Sequence, residues 1–388
     1  MRIPLCSFFA ILLFTIFNLS AEAAPALAEK AGKWSFSMNE PDTTLAEVSK
    51  EKQQKIRSSL QEIARIITSV PVMNPPRGFE ARFWGTVSAS DSYYLCAGKK
   101  CPTARPTATL AMMLGRYELQ KGKVRAAFNT PATMDISLNN LGHLFSHLPV
   151  LYKDDDGYLV PEPQLAGERA GMRAYINNDH AVAVMTSSDR PLWLPVSRER
   201  YLRAAIAATA KSLEGDGKGK QKQPNAVSII SGKPVMIEES RTWIDPVEQK
   251  KWVESSRSLT FEIKEPLDVL KARLAKFQAE LDALTPEQRT MPARVASAST
   301  NRDEVPSLAP ADSSSGVAVV SPDFSYFNTE LPPEAVQLMV VQWKFDGKLI
   351  YDPQQVGISE TLNNQRLLEI YRSMDWRKLG ALITRTAP

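Results

Sequence analysis

Two periodicities alternate along the chain. From Leu45 to Ile67, the residues Leu45, Val48, Ile56, Leu60, Ile63 and Ile67 recur at helical spacing with Lys, Glu and Gln between them. That pattern predicts an amphipathic helix. Thr44 and Glu47 have capping-box spacing at its start, and Pro71, Pro75 and Pro76 stop it. Over 79–186 the period shortens. Ala81–Val87, Thr107–Leu119, Val124–Phe128 and Arg173–Met185 carry β-branched and aromatic residues in short runs. Lys121-Gly122, Asp156-Gly157 and Asn177-Asn178-Asp179 separate them as turns, which predicts antiparallel hairpins. Ile136–Leu148 is expected to form one short helix within this β-rich region.

Helical spacing returns at Ser197, which caps a helix through Leu213 with Tyr201, Leu202, Ala205, Ile206 and Leu213 on its buried face. Gly215–Gln223 reads as a solvated loop. Val227–Ile230 and Val235–Ile237 read as a hairpin about Ser231-Gly232, and Asp245 or Pro246 as the start of a short helix through Trp252. Pro266 then opens the most regular helix. Its residues Leu267, Leu270, Leu274, Phe277, Leu281 and Leu284 form a narrow heptad seam. This arm, 265–284, is expected to pack on its own domain or against a partner.

Pro292–Gly316 has almost no large apolar residue and reads as a disordered linker, 292–318 in all. Beyond it, 319–388 is expected to be a small tethered unit. Val336–Phe345 and Lys348–Tyr351 form its hairpin about Asp346-Gly347. A helix over 359–374 follows, then a shorter one from Asp375 carrying Trp376, Leu379, Leu382 and Ile383. Asp156–Gln164 echoes Asp346–Gln354, which chance recurrence of turn residues explains as simply as duplication. The expected class is α+β: a β-rich antiparallel domain with flanking helices, the helical arm, and the C-terminal hairpin-helix unit, with the main domain over 42–291.

The first residues bear on compartment. Arg2, an apolar stretch Leu5–Leu19, and the small residues of Ala21-Glu22-Ala23 follow the order of a cleaved secretory signal, 1–23, with a tether over 24–41. No later segment is long and apolar enough to span a bilayer. The only Asn-x-Ser/Thr site, at Asn18, lies inside the signal, which favours a bacterial source and hence a periplasmic or secreted chain. The net charge of +4 is spread along the sequence, which argues against a nucleic-acid partner.

Few residues suggest chemistry. Cys96 and Cys101, the two cysteines beyond the signal, are expected to form a disulfide in an oxidising compartment. His143 and His147 have the i, i+4 spacing of metal pairs, but Leu144 stands where a zincin needs its glutamate. With the two cysteines they make only a weak zinc alternative, and no cofactor is implied. His180 reads as a turn residue, and Asp154-Asp155-Asp156-Gly157 as a solvated turn rather than a calcium loop. There is no Gly-x-Ser-x-Gly elbow. The seven tryptophans read as core, with Trp193 stapling an extended approach to the sheet. The expected function is a non-catalytic envelope protein that binds a partner or ligand, the 265–284 helix being a candidate partner surface. A hydrolase with dispersed carboxylates, glycosidase-like, is the alternative.

Overall fold

The computed structural model describes residues 27–38, 49–88, 105–145, 148–169, 171–177, 180–214, 218–222, 234–244, 251–264, 267–296, 307–311, 313–345, 348–349 and 362–384. The signal, Thr44 and Glu47, Cys96 and Cys101, His147, 227–230 and most of the second copy of the echo lie outside the described residues. The protein is α+β. It begins with β1 (Trp34–Met38), α1 (Lys50–Thr68), β2 (Phe79–Ser88), β3 (Thr107–Gln120), β4 (Lys123–Leu138) and α2 (Leu141–Phe145). Next come β5 (Tyr152–Asp154), β6 (Gly157–Pro161), β7 (Gln164–Arg169), β8 (Met172–Asn177), β9 (His180–Thr186) and β10 (Trp193–Pro195). Then follow α3 (Arg198–Glu214), β11 (Lys218–Lys222), β12 (Pro234–Ile244), β13 (Lys251–Lys264), α4 (Leu267–Asp282) and α5 (Pro286–Thr290). Last are β14 (Arg294–Val295), β15 (Val317–Pro322), β16 (Leu338–Phe345), β17 (Lys348–Leu349), α6 (Leu362–Ser373) and α7 (Trp376–Gly380). These elements divide into two compact units, 1–149 with 156–194 and 320–388, and 150–155 with 195–319.

The first unit is built on a nine-stranded sheet in the order β1-β2-β3-β4-β16-β9-β8-β7, with β17 on β16. Strand alternation gives it two chemically different faces. Ala81 and Phe83 of β2 and Leu110, Met112 and Leu114 of β3 bury on one face, beneath Ile56, Leu60, Ile63 and Ile67 of α1 and Leu367 and Ile370 of α6. Each such side chain contributes about 1.5–3 kcal/mol when fully buried. Ser49 caps α1 by accepting a hydrogen bond from the Lys52 amide. On the other face, Tyr175, Val182, Val184, Leu338 and Val340 bury beneath Leu141, Leu144 and Phe145 of α2. Trp193 packs edge-on to Tyr175 on β8, as its stapling role requires.

The C-terminal segment corrects the expected domain plan. Rather than forming a tethered hairpin of its own, β16 lies between β4 and β9 and is antiparallel to both. Leu338, Met339, Val340 and Val341 are each fully buried, because a central strand is covered on both faces. Asn139 guides it in. Its side-chain oxygen accepts from the amides of Gln337 (2.8 Å) and Leu338 (3.3 Å), and its amide nitrogen donates to Ala335 O at 2.9 Å. Asn139 is buried at φ +53°, a left-handed conformation that Asn tolerates better than most residues. Arg105 fixes the approach by donating to the carbonyls of Asn328, Leu331 and Pro332. Burial holds its pKa below the usual arginine value.

Five further expectations change because backbone pairing outweighs composition. Trp34–Met38, inside the expected tether, pairs in parallel with β2. Ile136–Leu138 ends β4 instead of starting a helix, and α2 spans only Leu141–Phe145. Lys218–Lys222, read as solvated loop, pairs with β13, and Trp252 lies in β13 opposite Trp243 rather than ending a helix. The described parts of the expected linker are ordered: β14 pairs with β15, and Ala293, Val295 and Ala309 are buried.

In the second unit α4 packs along α3. Two seam positions, Leu270 and Phe277, are buried, while Leu267 at the start is 38% exposed. The Tyr152 ring lies edge-on to Tyr201 at 5.3 Å and to Phe277 at 6.4 Å. Burial pushes the Tyr152 hydroxyl up to about 12 and raises Tyr201 as well. The Asp154 carboxylate accepts two hydrogen bonds from Arg200, at 2.7 and 3.0 Å.

Replacing Asn139 by Ala removes three buried hydrogen bonds and leaves a left-handed residue without its side-chain support. Denaturant unfolding of N139A should show a loss of about 2–4 kcal/mol. A change within about 0.5 kcal/mol would mean that β16 is held by other contacts.

Candidate functional site

On the face of the larger sheet opposite α1 and α6, α2 covers the part formed by β16, β9 and β8. Across β2, β3 and β4 that face carries polar and aromatic side chains. Register aligns them in rows. Trp84 stands opposite Ala111, Ala111 opposite Asp135, and Asp135 opposite Gln342. The next row runs Thr86, Thr109, Ser137. On the other side lie Arg82, Met113 and Thr133.

Small residues between tall ones make this face uneven. Ala111, buried at 8% exposure, stands between Trp84 and Asp135, which are two strand spacings or about 10 Å apart. Thr109 and Met113 flank it along β3, and all four surrounding side chains are half-buried. Beside it, the Phe128 ring covers Gly115, where an added Cβ would come within 2.7 Å of the ring. Arg82 stacks its guanidinium on that ring at 3.9 Å. This stacking orients an exposed cation two residues along the strand from Trp84. Further out, Tyr117 donates to Glu80 at 3.2 Å.

His143 sits on α2, over the part of the face that this helix covers. Its Nδ1 shares a 2.9 Å hydrogen bond with Ser137 Oγ. Its backbone amide donates to Asn140 Oδ1, and its carbonyl accepts from Gln342. A serine beside a histidine invites a nucleophilic reading, but Ser137 is 0% exposed and cannot meet a substrate. The pair instead ties α2 to the sheet. No group of three His, Cys, Asp or Glu suited to a metal occurs among the described residues. His180 opens β9 opposite Asn177.

Among the described residues of β2, β3 and β4, the two carboxylates of this face do not form a hydrolytic pair. Glu80 aligns with Gly115 and Asp135 with Ala111. They are therefore about 13 Å apart along the strands alone, beyond the roughly 5–9.5 Å that glycoside hydrolysis uses. A second concavity in the same unit, about 510 Å³, is lined by Gly171, Met185, Thr186, Trp376, Arg377, Gly380, Ala381 and Ile383, with no acid or histidine. Its Trp376 wall is stacked on Trp343 at 5.4 Å.

Trp84 was read from the sequence as core packing, and Arg82 and Asp135 were not singled out. The signal was present in β2, where an aromatic and a cation occupy the solvent phase of an alternating strand. Their convergence with Asp135 depends on register.

Burial lowers the His143 pKa below its ordinary 6.5, because the imidazolium is disfavoured there. The folded protein therefore takes up this proton less readily than the unfolded chain. His143 is neutral in both states at high pH, and its destabilising contribution grows as pH falls below 6.5 towards the folded pKa. Denaturant unfolding from about pH 7.5 to about pH 5 should show wild type losing more stability than His143→Gln. Parallel curves would remove His143 as the cause.

No protein family, no curated protein and no solved structure matches the chain.

Proposed function

We propose that this chain is an exported, non-catalytic binding protein that holds its ligand on the face of the larger sheet opposite α1 and α6, across β2 and β3. The supporting observation is the pair Arg82 and Trp84 on β2, an exposed guanidinium stacked on Phe128 and a half-buried indole on the same face. Among the described residues of this face no carboxylate pair lies in hydrolytic range. A rigid sheet presents these groups with little further ordering on binding. The glycosidase-like alternative would need a second acid near Asp135, and Glu80 is too far away. The helical arm is the weaker candidate surface, because α3 already covers Leu270 and Phe277.

The envelope location rests on the basic, apolar and small-residue order of the first residues. Among the described residues no helix is long and apolar enough to cross a membrane. N-terminal sequencing of protein recovered from the periplasm or medium of its source cells should begin just after Ala23 or Ala24. A chain that begins at Met1 and fractionates with cytosol would overturn the export proposal.

Retention on isolated cell envelopes tests the face. Trp84→Ala should reduce the retained fraction about tenfold, at an unfolding midpoint close to wild type. Leu267→Asp on the arm should leave retention unchanged. The reverse result would move the function to the arm.

A further inference from the structure

We infer that the tip of the β3–β4 hairpin docks on an anionic lipid bilayer, a contact separate from the ligand face on β2 and β3. Strand pairing shows that the tip projects. β2 reaches only to Phe79, opposite Arg116, and β16 meets β4 only over 133–138. Over 118–120 and 123–125 the two strands pair with each other alone among the described residues. They run about 10 Å past the sheet, at the end of β3 remote from Thr107. The turn is tight. Lys121 and Gly122 have φ of +51° and +74°, the two left-handed positions of a two-residue hairpin loop. A Cβ added at Gly122 would meet nothing within 4 Å, so the turn stands in open space.

Leu119 and Val124 face each other across the hairpin, on one side of the ribbon, and are 54% and 41% exposed. Single apolar residues scattered over a surface are ordinary. Here two stand side by side at a projecting point. A cross-strand pair helps to hold the hairpin, but a pair of threonines would do so without exposing as much apolar surface. Lys121, Lys123 and Arg125 surround them, all exposed and without an ion pair among the described residues, while Glu118 is engaged by Arg116 at 2.6 Å. An apolar point ringed by cations carries both signals that hold a protein on a membrane surface: buried apolar area and attraction to anionic headgroups.

Shape selects among occupants. Another protein binds through a broad complementary patch, which two side chains on a convex turn do not supply. A nucleic acid would use the cations and leave the apolar pair in water. Lipids close around a narrow point, so a bilayer uses both.

Cosedimentation with vesicles tests this, using the chain from Ala24, which keeps every described element and lacks the apolar first residues. Vesicles of about 30% phosphatidylglycerol in phosphatidylcholine should bind it about tenfold more strongly than pure phosphatidylcholine does. Raising NaCl from about 50 to about 500 mM should weaken that binding about tenfold. Leu119→Thr with Val124→Thr keeps β-forming residues in the hairpin and should weaken binding about tenfold. Lys121→Asn with Lys123→Gln, in which Asn suits the left-handed turn, should weaken it about as much. Unfolding midpoints equal to wild type would show that both variants fold. No preference for the anionic vesicles, or binding that neither variant lowers, would overturn the proposal. A loss confined to the charge variant would mean a polyanion contact without insertion, and the bilayer assignment would fall.

Discussion

The insertion of β16 between β4 and β9 is the constraint on which the larger unit depends. A strand slipped by one residue presents its whole apolar set to the wrong face. Here the register is set at one end, where Asn139 receives the amides of Gln337 and Leu338 directly beyond the last residue of β4. The bonds fix Met339 opposite Leu138 and Gln342 opposite Asp135. The same bonds therefore decide that Met339 and Val341 enter the core under α1 and α6, and that Gln342 shares a row with Asp135 and Trp84. A stability feature and a candidate site feature have one cause.

The two faces differ because of where the chain goes after β4. Asn139 and Asn140 turn it straight into α2, which lies over the β16 and β9 part of the sheet. On the outer phase of β2 and β3, Arg82, Trp84, Thr86 and Thr109 alternate with core residues, and Ala111 between them is buried. A helix placed over Arg82 would have to desolvate a guanidinium. His143 belongs to the covering helix α2. It is buried enough to be kept neutral, and its bond to Ser137 satisfies a serine that has no exposure of its own.

Much of the fold was legible wherever one element settles its own pattern. The faces of α1, the alternation of β2 and β3, and the hairpin of β8 and β9 follow from local periodicity. The capture of β16 does not, because a strand pattern in Leu338–Phe345 says nothing about which edges it pairs with. Composition misled at Lys218–Lys222 and at Ala293–Val295. Small or charged residues there are held by backbone pairing, which needs no large side chain. Among candidate residues, His143 was visible from its spacing but serves a structural bond. Trp84 and Asp135 were invisible as a pair, since only the intervening strand β3 brings them to one row.

That row also bears on the hydrolytic alternative. Hydrolysis by dispersed carboxylates would require a raised acid and a second carboxylate converging on one bond, in a site that excludes water. Asp135 and Glu80 stand on different rows of the sheet, and Ser137, which is paired with His143, is sealed beneath its neighbours. On β2 the Trp84 indole and a guanidinium already oriented by Phe128 stand two residues apart. Because β3 is paired on both sides, the row cannot shift to bring Glu80 closer to Asp135.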